Sequence, residues 1–187
     1  VQNASATESI EAGFSHTCMV RQDGDMFCWG NNSNGQVGNG TVITQNRPVD
    51  VNNIANGRQI SAGLTHACAV LSTGGTHCWG SNGFGQLGDG TSTGTNQQNP
   101  VAVNTQTIHP EQLELGLGIS TGGDVLVDHI PADGLIQSTL PGAQAHSCFI
   151  DSRGALYCWG SNVSGQLGDG STTNAPTPVL TNLLLDP

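Results

Sequence analysis

The sequence contains no lysine. Its only cations are Arg21, Arg47, Arg58 and Arg153, set against 14 acidic residues, and the formal net charge is -10. A protein that grips nucleic acid displaces phosphate counterions with clustered Lys and Arg. Arginines scattered this thinly give no such surface, so nucleic acid is excluded as an expected partner. Long apolar runs are missing as well. No stretch approaches the ~20 residues that a helical membrane span needs, and no membrane span is expected. No charged-then-apolar leader precedes Val1, so an exported form would have lost its signal already. Aromatic residues make up only 4% and charged residues only 10% of the chain. No segment shows the apolar spacing of an amphipathic helix.

What the chain does have is glycine, 27 residues of it, together with abundant Asn, Ser and Thr. That composition favours short strands joined by tight turns. It also has a repeat. The string CWGNNSNGQVGNGT begins at Cys28, CWGSNGFGQLGDGT at Cys78, and CWGSNVSGQLGDGS at Cys158. Cys18 and Cys68 are 50 positions apart, whereas Cys68 and Cys148 are 80 apart. The period is therefore 50, interrupted once by about 30 extra residues between Val103 and Gly142. The expected division is an N-terminal segment over 1–11, repeat 1 over 12–61, repeat 2 over 62–103, an insertion over 104–141, and repeat 3 with a tail over 142–187. The first segment is polar and reads as a loose terminus or an edge strand.

Each copy holds two cysteines ten apart: Cys18 and Cys28, Cys68 and Cys78, Cys148 and Cys158. Gly24, Gly74 and Gly154 occupy the same place between them. If the cysteines of a pair face one another, the loop centres on Asp23, Thr73 or Arg153 and ends in that glycine. Three-residue hairpin loops favour a type I turn followed by a left-handed residue, which glycine adopts without steric cost. Spacing and glycine position thus select one register. It puts the cysteines opposite each other at a site where Cα atoms lie ~4.5 Å apart, near the short end of disulfide geometry. Three readings are open: intra-hairpin disulfides, reduced thiols packed as small apolar groups, and zinc shared with His16, His66 or His146. Six cysteines in three like pairs with none left over favour disulfides and an oxidising compartment. One His and two Cys per copy leave a zinc site short of four ligands.

The opposite faces of the hairpins carry Met19, Phe27 and Trp29, then Ala69, His77 and Trp79, then Phe149, Tyr157 and Trp159. A tryptophan fixed in each copy is read as a packing residue between units. Val37, Leu87 and Leu167 are expected to plug a core, and Gln36, Gln86 and Gln166 to satisfy buried backbone groups. The Gly-rich loops lack the Lys-Ser/Thr that a phosphate cradle needs.

The pattern Gly-x-x-His, a hairpin, Trp-Gly-x-Asn-x-x-Gly-Gln-Leu-Gly-Asp-Gly-Thr, then Pro-x-x-Val resembles the repeat of the regulator of chromosome condensation family. Residues Gly63 to Val103 match it nearly throughout. The resemblance implies an all-β protein of four-stranded antiparallel blades of β-propeller type. The added Cys before each Trp-Gly looks like the bacterial and extracellular variants. Two departures stand out. Ala143 occupies the place where the third copy's Gly is expected. The chain also holds three repeats where the family's closed rings usually have seven. Three blades cannot close a ring, so a longer chain, completion between subunits, or open stacking is implied.

The insertion is read as a β-hairpin, because Leu113, Leu115, Leu117 and Ile119 alternate and so do Val125 and Val127. It also contains His109, Glu111, Asp124, Asp128, His129 and Asp133, which are read as solvated rather than as metal ligands. No catalytic arrangement, cofactor motif or metal set is expected. The acidity and the cysteine pattern speak against the nuclear role of the family's founder, and fold alone carries no function. The expectation is a non-enzymatic, extracellular recognition module that binds a protein or glycan and self-associates. The alternative is a structural subunit of an extracellular assembly built by strand exchange. Asn3, Asn31, Asn39 and Asn162 also fit the N-glycosylation pattern.

Overall fold

The computed structural model describes residues 6–91, 94–105, 118–122, 145–151 and 155–182. Twelve strands among them form three four-stranded antiparallel sheets. The first sheet comprises β1 (Thr7–Ala12), β2 (His16–Arg21), β3 (Met26–Gly30) and β4 (Gln45–Asp50), in that spatial order. The second comprises β5 (Gly57–Ala62), β6 (His66–Leu71), β7 (Thr76–Gly80) and β8 (Gln97–Ala102). The third comprises β9 (Gly118–Gly122), β10 (His146–Ile150), β11 (Leu156–Gly160) and β12 (Ala175–Leu180).

Each central hairpin takes the expected register. Cys18 pairs with Cys28, Cys68 with Cys78 and Cys148 with Cys158. The structure carries a disulfide at each pair, with Cα separations of 4.1, 4.0 and 4.1 Å. Arg21 N donates to Asp25 O at 2.9 Å to close the first turn, and Leu71 N donates to Gly75 O at 2.9 Å to close the second. Gly24 and Gly74 sit at φ +84° and +100°, the left-handed conformation that the turns require. The outer strands β4, β8 and β12 carry Pro48, Pro100 and Pro178. Proline lacks the N–H that a second neighbouring strand would need, and an edge strand is where it fits.

The sheets divide the chain differently from the expected units. Boundaries at 12, 62 and 142 cut each sheet between its first and second strands. Thr7–Ala12 is the edge strand of the first sheet rather than a loose terminus. Gly118–Gly122, placed in the insertion by its sequence, is the first strand of the third sheet and pairs with β10. The reason is that the hairpin and its loop are nearly identical between copies, while the first strands share little beyond an Ile and a terminal Gly. Gly122 pairs with His146, and Thr121 with Ser147, as Ala62 pairs with Ala67. Gly122 is therefore the third copy's counterpart of Gly63, and Ala143 is not. The proposed partner strand around Val125 and Val127 lies outside the described residues, as do His109, Glu111, Asp124, Asp128, His129, Asp133, Ala143, Arg153 and Asn3.

Neighbouring first strands touch, β1 against β5 and β5 against β9, which puts them on the inner side of an arc. Ser61 Oγ accepts from Thr121 N at 3.0 Å, tying β5 to β9. Two apolar cores lie between the sheets. The first joins Cys18, Val20, Met26, Cys28 and Val37 of one sheet to Ile60, Ala67, Ala69 and Trp79 of the next. The second joins Cys68, Val70, Cys78 and Leu87 to Ile119, Phe149, Tyr157 and Trp159. Each sheet thus has a trailing face, which bears the disulfide, and a leading face, which bears the tryptophan. The trailing face of one covers the leading face of the next.

Candidate interaction surfaces

The loop after each Trp-Gly is organised by an asparagine. Asn32 is fully buried. Its Oδ1 accepts from Val37 N at 2.9 Å, while its Nδ2 donates to Thr41 O at 3.0 Å and Ile43 O at 3.1 Å. Asn82 and Asn162 do the same for Leu87 and Leu167. The sequence reading missed this residue, although Asn recurs four positions after the Cys of every copy. The glutamines cap backbone locally: Oε1 of Gln36, Gln86 and Gln166 accepts from the N–H of Asn34, Phe84 and Ser164, each at 2.9 Å.

So held, the loop reaches the next sheet. Trp79 Nε1 donates to the backbone O of Gln36 at 2.9 Å, and Trp159 Nε1 donates to that of Gln86 at 2.9 Å. Gly38 and Gly88 lie under these indoles; a Cβ on either would stand 2.8 or 2.6 Å from the ring nitrogen. Gly40 N donates to Gln98 O, and Gly90 N to Pro176 O, both at 2.9 Å. Each junction is therefore an indole and an outer-strand carbonyl gripped by one loop. Trp79 and Trp159 are 0% and 1% exposed, but Trp29, which has no preceding sheet, is only half-buried.

His16, His66 and His146 begin the second strands on the inner side of the arc. His66 is fully buried, and its Nε2 lies 2.9 Å from Ser147 Oγ. Ser147 Oγ gives its only proton to Gln86 O at 3.1 Å. His66 Nε2 therefore carries the donated hydrogen, and the ring is neutral with Nδ1 unprotonated. Burial lowers the pKa of His66 to about 3, assisted by repulsion from His16 and His146. Burial alone lowers that of His16 to about 4. Among the described residues no group of His, Cys, Asp and Glu side chains is arranged to hold a metal ion. The histidines tie sheets together.

Strand direction sorts the loops into two ends. The links 13–15 and 63–65 and the long loops 31–44, 81–96 and 161–174 emerge at one end, here the top. Asn31 N donates to Ser15 O at 2.8 Å, and Phe14 N donates to Gly63 O at 3.2 Å, binding the top links to one another. Phe14 is 69% and Ile43 67% exposed, and Val42 and Val163 are also exposed there. Segment 123–144, which joins β9 to β10, departs from the same end. Of the glycosylation matches, Asn162 is fully buried with its amide used internally, whereas Asn31 is exposed on the top.

Comparisons with known proteins fit this geometry. The regulator of chromosome condensation (RCC1) repeat matches in two descriptions, one at residues 8–36, 58–86 and 144–166 and the other at 23–70. Together these cover more than half of the chain. Among solved structures, that of yeast RCC1 (Prp20) bound to Kap60 matches with a TM-score of 0.72 and 17% identity, over 98% of this chain and 39% of that one. Prp20p of Saccharomyces cerevisiae, described with its binding to Gsp1p and histones, matches at 0.68 and 18%, over 93% of this chain and 38% of that one. Human WBSCR16 matches at 0.57 and 18%, over 98% and 55%. The chain thus spans about two fifths of the yeast chains and just over half of the human one. At these identities the likeness is one of fold, that of RCC1-type β-propellers. With its repeats matched and its sheets in that arrangement, the chain belongs to the regulator of chromosome condensation repeat family.

Proposed function

We propose that this chain is a non-enzymatic, extracellular interaction module that binds a protein or glycan through its top end and self-associates. The observation that carries this reading is the gathering of exposed Phe14, Val42, Ile43 and Val163 on links that share one end of the arc. Apolar side chains of that size on a sheet's connecting loops mark a binding surface more often than a core. Segment 123–144 enlarges the same end. The three disulfides support an oxidising, extracellular setting. The family's solved relatives with Kap60, Gsp1p and histones support a protein partner as the first class to test.

The test is an array of extracellular proteins and glycans probed with the wild type and with Phe14→Ser and Ile43→Ser. Signals that fall at least tenfold with both substitutions sustain the reading. Binding that ignores both substitutions overturns the top end as the site. The second reading, a structural subunit of an assembly, is favoured by the uncovered faces of the first and third sheets. Pro48, Pro100 and Pro178 on the outer edges disfavour strand exchange there.

A further inference from the structure

Both ends of the arc are half-junctions. At the leading end, Ile10 is 58% exposed, while its counterparts Ile60 and Ile119 are 0% and 6% exposed. Met19, Phe27 and Trp29 share this face and are half-buried, where the matching Ala69, Phe149, Trp79 and Trp159 are buried. Trp29 Nε1 has no acceptor among the described residues. At the trailing end, Ile150 is 40% exposed, while its counterparts Val20 and Val70 are 0% and 1% exposed. Cys148, Leu156 and Val179 beside it are only partly buried. Gly38 and Gly88 are buried beneath an indole, but the corresponding Gly168 is exposed.

We propose that these two ends dock on each other between copies of this chain, head to tail, in the geometry of the two internal junctions. The proposal rests on the self-association in the reading above but uses the ends of the arc, not its top. Sequence register fixes the contacts. The loop 165–170 of one copy takes the place of 35–40, so Trp29 of the next copy lies over Gly168 as Trp79 lies over Gly38. Gly170 N donates to Asn46 O, as Gly40 N donates to Gln98 O. Arg47 then stands where Asn99 stands in the first junction, and there Asn52 Nδ2 donates to Asn99 Oδ1 at 3.1 Å. Arg47 is exposed, and it would face the loop that holds Asp169, so the new junction gains opposite charges that the internal one lacks. Two copies joined at both ends bring six sheets, within the ~4–8 blades of closed propellers. A heterologous contact either closes in this way or propagates.

The logic of head-to-tail docking makes a complementation test. The whole chain is measured by sedimentation or light scattering over a wide concentration range, with far-UV dichroism and thiol counts confirming the fold of each variant. The wild type should show the mass of two copies, or a concentration-dependent ladder above it. Trp29→Ala removes the leading half and Ile150→Asp the trailing half. Each alone should be monomeric, with the midpoint concentration for association raised at least tenfold. Mixed, they retain one intact half each and should form pairs. Arg47→Glu should weaken wild-type association and reduce its salt dependence. A wild type that stays monomeric at every concentration overturns the inference, as does association that survives both substitutions or a mixture that does not pair. A monomer that still binds a partner through Phe14 and Ile43 overturns this inference alone and leaves the proposed function standing.

Discussion

Trp29 and Trp79 occupy the same place in nearly the same sequence, yet they live in different surroundings. Trp79 is sealed beneath the preceding sheet's loop and donates to Gln36 O. Trp29 lies half-open on the first sheet. The local sequence therefore sets the hairpin, its register and its disulfide, while burial is conferred by the neighbour. This is how a repeat array behaves: each unit is stabilised by its own pairing and by the junctions it makes.

The comparison can be broken most forcefully at the tryptophans. Trp79→Ala should destabilise by about 3–5 kcal/mol, as large aromatic deletions in cores do, and it also strands a buried carbonyl. Trp29→Ala in the monomer should cost a small fraction of that. Urea unfolding of both variants checks the pair, and equal losses would contradict the assignment of burial to the neighbour.

Next in size is the disulfide. Replacing Cys68 and Cys78 together with Ala should cost about 3 kcal/mol, the loop-closure value for a ring of this size. The loss for Cys148 and Cys158 should be similar, because the rings are equally long. Access to reductant should differ. Cys148 is half-buried at the open end and Cys68 is fully buried, so Cys148–Cys158 should be reduced first. Timed alkylation followed by peptide mapping reads the order.

Acid acts at the middle junction more than at the ends. His66 and His16 titrate near their ordinary value when unfolded, but only at about 3 and about 4 when folded. The unfolded state binds more protons between these limits, so stability is full above about pH 6.5 and falls as the pH is lowered. Each histidine contributes a slope of about 1.4 kcal/mol per pH unit in its window, which ends near pH 4 for His16 and near pH 3 for His66. His66→Asn should flatten the profile between pH 6 and pH 3, and a profile unchanged by that substitution would remove the histidine from the account.

The finest test uses one glycine position. Gly168→Ala, on the open side, should cost about 1 kcal/mol for its positive φ. Gly38→Ala should cost more, because its methyl would also meet the Trp79 indole. Thermal melts of the two variants give the difference.

Much of this was legible in the residues. Cysteine spacing and turn glycines were enough to place Cys18 opposite Cys28, because a hairpin's register is a local property. The first strands were not legible: Thr7–Ala12 and Gly118–Gly122 are strands because β2 and β10 pair with them, and their own side chains alternate weakly. The tryptophan's acceptor was hidden for a different reason. Gln36 and Gln86 present backbone oxygens to it, and a backbone atom leaves no signature in residue type. Asn32, Asn82 and Asn162 did leave one, as a recurring polar residue inside an otherwise apolar plug.

The join between β9 and β10 has a consequence of its own. In the other sheets this join is residues 13–15 and 63–65, and in the third it is residues 123–145. Closing so much longer a loop costs only about 2 kcal/mol in chain entropy, and Gly122 still meets His146 in register. The scaffold therefore accepts foreign sequence at this one gate without renegotiating its sheets. Novelty in recognition can arise there by insertion, while selection on the blades themselves continues undisturbed.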